Sequence, residues 1–219
     1  MTRKSALNPA VLSWRRTFLP LCLLLALVPT AALAGGGPFG IDYEWSKSDT
    51  GLWSRNAQVA LEYAAPAAEL VGALMLGNDS PIGHTFWQAA DASIASGLAA
   101  QILKYSFSRA RPFQGDNPNL WFQGHGDQSF PSGEVTLQAS FVTPFIVDYY
   151  RTEPWVWSLE VLPVWDAIGR MKAQAHWQSD VIAGWLLGTA AGYWATTREV
   201  PLLVQILPRG LSIGFYKRF

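Results

Sequence analysis

Cysteine is almost absent from this chain of 219 residues: Cys22 stands alone, inside an apolar run near the N-terminus. Arg3, Lys4, Arg15 and Arg16 precede that run, which extends from Phe18 to Val28 and leads to Ala32-Leu33-Ala34. A basic lead, a short apolar stretch and a small-residue ending are the layout of a cleavable secretory signal. At about 11 residues the run falls short of the roughly 18 to 20 that cross a bilayer comfortably. Extended to Leu33, it reads instead as an uncleaved anchor. Cleavage after Ala34 removes Cys22, so the exported chain holds neither a disulfide nor a thiolate site. Because Cys22 lies inside the run rather than at its end, a lipoprotein anchor is disfavoured.

An excess of positive charge is also missing. The chain has 16 basic and 16 acidic residues, and four of the basic ones belong to the leader. The exported remainder is therefore net acidic, which argues against nucleic acid as a partner because that partner normally needs a basic face. No internal repeat or low-complexity tract is present. The expected organisation is a signal segment at 1–34, a helical domain at 35–200 and a C-terminal extension at 201–219.

Helix-length apolar segments separated by breakers fill the middle region, at Ala57–Leu76, Thr85–Ala110, Glu134–Tyr150, Pro154–Gly169 and Ser179–Thr197. Their Ala and Leu content, their length and interruptions such as Gly77-Asn78-Asp79-Ser80-Pro81 favour helices over strands. The expected fold is all-α, a single helical bundle of about five to six helices. Glu62, Glu69, Asp91, Glu160 and Asp166 interrupt the segments, which favours a soluble or peripheral domain over a multi-span inner-membrane protein. Ten tryptophans beyond residue 34 keep the lipid interface in view, because Trp serves both interfaces and cores. The tail turns at Pro208-Arg209-Gly210 and alternates in part as a strand would from Leu211 to Tyr216.

Three clusters carry chemistry. The first is Lys104-Tyr-Ser-Phe-Ser-Arg109-Ala-Arg111-Pro112, in which Lys104 and Arg111 stand two helical turns apart and Pro112 closes the helix. The second is Ser129-Phe130-Pro131-Ser132-Gly133-Glu134, where Ser132 can cap a helix and Gly133 lets its backbone approach an anion. The third runs from Gly169-Arg170 to His176-Trp177-Gln178-Ser179-Asp180. With a helix from His176 onward, Asp180 lies one turn along and can hold one imidazole nitrogen while the other faces a substrate. Each cluster alone has a bland reading: a solvated basic helix end, an ordinary N-cap, a structural histidine.

In this order and spacing the three clusters resemble the signature of the type 2 phosphatidic acid phosphatase superfamily, KxxxxxxRP, PSGH and SRxxxxxHxxxD. The first motif is complete. The third keeps Arg170, His176 and Asp180 at the family spacing, with Gly169 in place of serine. The resemblance implies an all-helical fold and a phosphatase without metal or other cofactor. Lys104, Arg111 and Arg170 would clamp the phosphate, with Ser132 and the Gly133 N–H completing the cradle. His176 would be the nucleophile, passing through a phosphohistidine, and Asp180 would orient it.

Glu134 departs from the pattern, because it stands where the family has the histidine thought to protonate the leaving oxygen. A carboxylic acid can serve if burial or the phosphate charge raises its pKa. His125 reaching in, or binding without turnover, are the other readings. The implied substrate is a phosphomonoester or a lipid phosphate or pyrophosphate at the periplasmic face, with contact to a membrane surface possible. A non-catalytic phosphate or headgroup binding protein is the main alternative. Vanadate-dependent halide oxidation is disfavoured by the missing histidine and the short chain. Neither the substrate nor the oligomeric state follows from the motifs.

Overall fold

Five long helices form where the apolar segments predict them, and local breakers set their ends. The computed structural model describes residues 35–124, 126 and 128–198 together with the backbone of 205–207 and 210–212. Helix α1 spans Arg55–Leu76, with the Ser54 side chain accepting from the Ala57 N–H and Gly77 ending it at φ +65°. Helix α2, Pro81–Phe107, starts on Ser80 with proline in its first turn and stops at Ser108, which is left-handed at φ +37°. Helix α3 is Gly133–Tyr149, α4 is Val161–Lys172 and α5 is Gln178–Thr196. A short antiparallel pair, β1 (Gln205–Leu207) with β2 (Gly210–Ser212), lies in the tail. The signal segment, and the strand-like residues from Ile213 to Tyr216, lie outside the described residues.

Three boundaries differ from expectation. Residues Pro154–Glu160 form a 3₁₀ helix before α4 begins, and α4 runs beyond Gly169 so that Arg170 sits in its last turn. Helix α2 ends before Arg111, whose backbone is extended at φ −87°, ψ 155° ahead of Pro112. A residue before proline is pushed out of the helical region, so Lys104 and Arg111 do not share a helix face. Helix α5 begins at Gln178, and His176 lies in the bend between α4 and α5. The Asp180 carboxylate accepts from the Trp177 N–H at 2.9 Å and so starts the helix one residue after Trp177.

Helix α3 is the centre of the bundle. Gly184, Gly188 and Gly192 make a stripe along α5 at helical spacing. A Cβ on Gly184 would stand 2.4 Å from the Ser132 carbonyl oxygen, and one on Gly188 would stand 2.2 Å from that of Thr136. The stripe thus lets the backbones of α3 and α5 touch, and it fixes the start of α3 against the start of α5. At the far end Val142, Ile146 and Val156 form an apolar core with Phe141, Tyr149 and Trp157 packed around it.

Three of the five acidic residues that interrupt the apolar segments point inward. Glu69 and Asp91 are each 4% exposed, and Asp166 is 1% exposed. Glu69 accepts from the Ser93 hydroxyl at 2.6 Å. On the outside of α1 stand Leu70, Val71, Leu74 and Met75, and on α2 Ile94, Leu98 and Ile102. These three interruptions therefore do not mark water-facing surfaces, because their side chains lie inside the bundle while apolar ones face out. Helix α1 is long and apolar enough to cross a membrane.

Candidate active site

The sequence motifs meet at the end of the bundle where α3 and α5 begin. His176 is 4% exposed, held in the bend between α4 and α5. The Ala175 carbonyl beside it accepts from Arg111 Nη1 at 3.4 Å. Arg111 Nη2 donates to the Gln128 carbonyl at 3.3 Å, and Lys104 Nζ donates to the same oxygen at 2.8 Å. One loop carbonyl thereby draws together two cations that the end of α2 had separated. Lys104 also passes over the start of α3, with its Cε 3.4 Å from where a Gly133 Cβ would be.

Ser132 is fully buried at the N-cap of α3. Its N–H donates to the Asp180 carbonyl at 3.0 Å, and its hydroxyl has no partner among the described residues. The cradle expected of this loop therefore rests on the Ser132 hydroxyl and the Gly133 N–H, because the Ser132 N–H is already committed.

Arg170, on the last turn of α4, faces Glu134 across the start of α3. Its Nη1 stands 3.2 Å from Glu134 Oε1 and donates to Gln58 Oε1 at 3.2 Å. Arg55 holds Glu134 from the other side, with Nη1 at 2.9 Å from Oε1 and 2.8 Å from Oε2. The Glu134 carboxyl group thus lies between two guanidiniums. His125, the other candidate acid, lies outside the described residues.

Electrostatics follow from this crowding. Burial, then the Lys104, Arg170 and Arg111 charges, hold the His176 pKa well below 6.5, so its imidazole is neutral at pH 7. A neutral ring is the form with a free electron pair for attack. Burial first, then Arg111 and Arg170, push Lys104 down to about 8. Cations that depress one another round a neutral histidine form a seat that an anion would relieve. Among the described residues no group of three or more His, Cys, Asp or Glu side chains is gathered as a metal site would require.

Asp180 relates to His176 less directly than the spacing suggests. Its Oδ2 stands 3.8 Å from His176 Nδ1, beyond a hydrogen bond. The carboxylate is held instead by Arg109 Nη1 at 2.6 Å and by the Ser129 hydroxyl at 2.5 Å. Arg109 is wholly buried, and it also binds Asp42 Oδ2 at 2.6 Å and the Pro118 carbonyl at 2.7 Å. Trp121 lies 4.3 Å over its guanidinium carbon.

Motif reading did not single out Arg109, Asp42, Arg55 or Gln58. A signal for the last two existed, because Arg55, Gln58, Glu62 and Glu69 recur at the spacing of one face of α1.

A family model described as the PAP2 superfamily matches residues 86–200, more than half of the chain. The chain belongs to the PAP2 superfamily. Within it, an undecaprenyl-diphosphatase of Sulfolobus acidocaldarius is 36% identical over 95 residues, 42% of this chain and 44% of that protein. A lipid A 1-phosphatase of Rhizobium etli is 33% identical over 100 residues, 43% of this chain and 42% of that protein. The matches thus span less than half the length of these curated relatives. The crystal structure of Aquifex aeolicus LpxE superposes with a TM-score of 0.50 at 19% identity, covering 65% of this chain and 85% of that one. That likeness establishes the PAP2 helical fold.

Proposed function

We propose that this PAP2 protein is an exported, membrane-associated phosphatase that hydrolyses a lipid phosphate or pyrophosphate through a phosphohistidine at His176. The observation that carries the reading is a buried, neutral imidazole ringed by Lys104, Arg111 and Arg170. A phosphoryl group seated there has its oxygens met by three cations, with the Ser132 hydroxyl and the Gly133 N–H completing the cradle. Stabilising charge on those oxygens is most of what phosphoryl transfer demands.

In this scheme one imidazole nitrogen of His176 attacks phosphorus and the bond to the leaving oxygen breaks. Asp180 balances the imidazolium charge from 3.8 Å. Glu134 is the proposed proton source. The substrate dianion draws Arg170 toward itself and places negative charge beside the carboxylate, and both changes raise its proton affinity. Glu134 then protonates the leaving oxygen. Water next cleaves the P–N bond, returning a proton to Glu134 and releasing orthophosphate.

The names of the matched relatives and the outward apolar faces of α1 and α2 support a lipid substrate and contact with a membrane. The domain limits expected from sequence belong to the same proposal, with the leader at 1–34 removed on export. Membrane fractionation with an alkaline wash, and N-terminal sequencing, check both points: soluble protein beginning at Met1 contradicts them. The pairing of Glu134 with two arginines also favours a second reading, a pocket that binds phosphate without turnover.

One substrate panel separates the two readings. His176→Ala should abolish hydrolysis of alkyl and aryl phosphates by several orders of magnitude, remove the acid-labile phosphoprotein and leave orthophosphate binding. Glu134→Gln should slow alkyl phosphates by roughly 10²- to 10⁴-fold and aryl phosphates much less, because a good leaving group barely needs a proton. Wild-type protein that binds orthophosphate yet hydrolyses nothing on the panel establishes the binding-only reading. Equal losses across the two classes remove Glu134 from the acid's role.

A further inference from the structure

Both departures from the family motifs, Glu134 and Gly169, meet residues of α1, which precedes the matched region 86–200. Arg55 Nη1 reaches both oxygens of Glu134, at 2.9 and 2.8 Å, while its Nη2 reaches Glu62 Oε2 at 3.1 Å. Three residues along the same face, Gln58 is 0% exposed. Its Oε1 accepts from Arg170 Nη1 at 3.2 Å, and its Nε2 donates to the Trp53 carbonyl at 2.9 Å. Gln58 also fills the space beside Gly169: a Cβ there would meet its Cδ and Nε2 at 3.1 Å and its Cγ at 3.3 Å. A side chain at 169 therefore displaces the group that holds Arg170.

We infer that Arg55 and Gln58 are positioning residues of the phosphate seat, Arg55 holding the Glu134 carboxylate at the rim of the seat so that it competes less for Arg170, and Gln58 aiming the Arg170 guanidinium into the seat. The inference rests on the phosphate-binding reading above. A carboxylate at position 134 adds negative charge beside an anion site. It already shares Arg170 at 3.2 Å, and left to itself it would pair more tightly with that guanidinium and compete with the substrate for it. Arg55 offers it a cation from outside the seat, at 2.9 and 2.8 Å against 3.2 Å to Arg170, so Lys104 and Arg111 stay available and Arg170 is the more easily released. Gln58 is a neutral acceptor, and it orients Arg170 without cancelling its charge. Asp166, buried one turn before Arg170 on α4, adds a further carboxyl to this side.

The test is orthophosphate affinity of the purified full chain, read by phosphorus NMR or tryptophan fluorescence at fixed ionic strength, so that no turnover is needed. Arg55→Ala should weaken orthophosphate binding about tenfold in the wild-type background and by less than about twofold in the Glu134→Gln background. Arg55→Lys, which keeps the charge, should recover most of the loss. Gly169→Ser should weaken binding in the wild type and add nothing once Gln58→Ala is present, because both changes break the same contact.

Equal losses from Arg55→Ala in both backgrounds overturn the role of Arg55, since it would then touch the anion or serve the fold alone. Additive losses from Gly169→Ser and Gln58→Ala overturn the role of Gln58. Wild-type protein that binds no orthophosphate overturns the phosphate seat itself, and this inference with it. Binding by the wild type with either failed cycle leaves the phosphatase reading standing.

Discussion

On the Asp180 side of His176, Arg109, Asp42 and Asp180 have fully buried side chains, with ion pairs of 2.6 Å. On the Glu134 side, the Arg55 side chain is 42% exposed, Glu134 is 14% exposed, and Arg170 stands 3.2 Å from the carboxylate. The first cluster is closed. The Ser179 N–H donates to Asp42 Oδ1 at 2.7 Å, and Asp180 accepts from Arg109, Ser129 and Trp177. The second is partly open to solvent. The same residue types thus stand in different settings: one cluster fixes the bend that carries His176, and the other lies where the proposed function seats an anion.

Breaking the closed cluster should have the larger effect on the fold. Arg109→Ala leaves Asp42 and Asp180 buried without their cation, and removing one partner of a buried pair costs roughly 3–5 kcal/mol. Denaturant unfolding should register that loss. Arg55→Ala, at a partly exposed pair, should cost about 1 kcal/mol in the same experiment. A comparable loss for both variants would erase the distinction between the clusters.

The sequence made the local part of this arrangement readable and left the rest hidden. Lys104, Arg111, Arg170 and His176 announce themselves through short fixed spacings, and the helices through composition and breakers. Partners far apart in the chain carry no such mark: Arg109 meets Asp42 across 67 positions, Arg55 meets Glu134 across 79, and Arg170 meets Gln58 across 112. Lys104 and Arg111 show the opposite trap, because their spacing suggests one helix face whereas the Gln128 carbonyl brings them together after α2 has ended. Charges within apolar segments misled in the same way. Glu69 and Asp166 look like solvent contacts in sequence, yet they lie inside the bundle.

A further expected effect separates the open cluster from the closed one by pH. Lys104 is one of the cations of the proposed seat, and its ammonium is pushed down from 10.5 to about 8, first by burial and then by Arg111 and Arg170. Below that pH the charge is present and contributes to anion binding; above it the charge is lost. Orthophosphate affinity should therefore decline as pH rises past about 8, approaching tenfold per pH unit, while the ligand keeps its dianionic form. Stability should move the other way. The unfolded chain holds this proton more tightly than the folded one, so the Lys104 contribution to stability rises with pH between about 8 and 10.5. Lys104→Arg, whose guanidinium stays charged across this range, should flatten the affinity profile. Affinity measured beside unfolding free energy from about pH 7 to pH 10 reads both slopes. A wild-type affinity that stays flat across that range would place the Lys104 charge outside the seat, whatever the stability does.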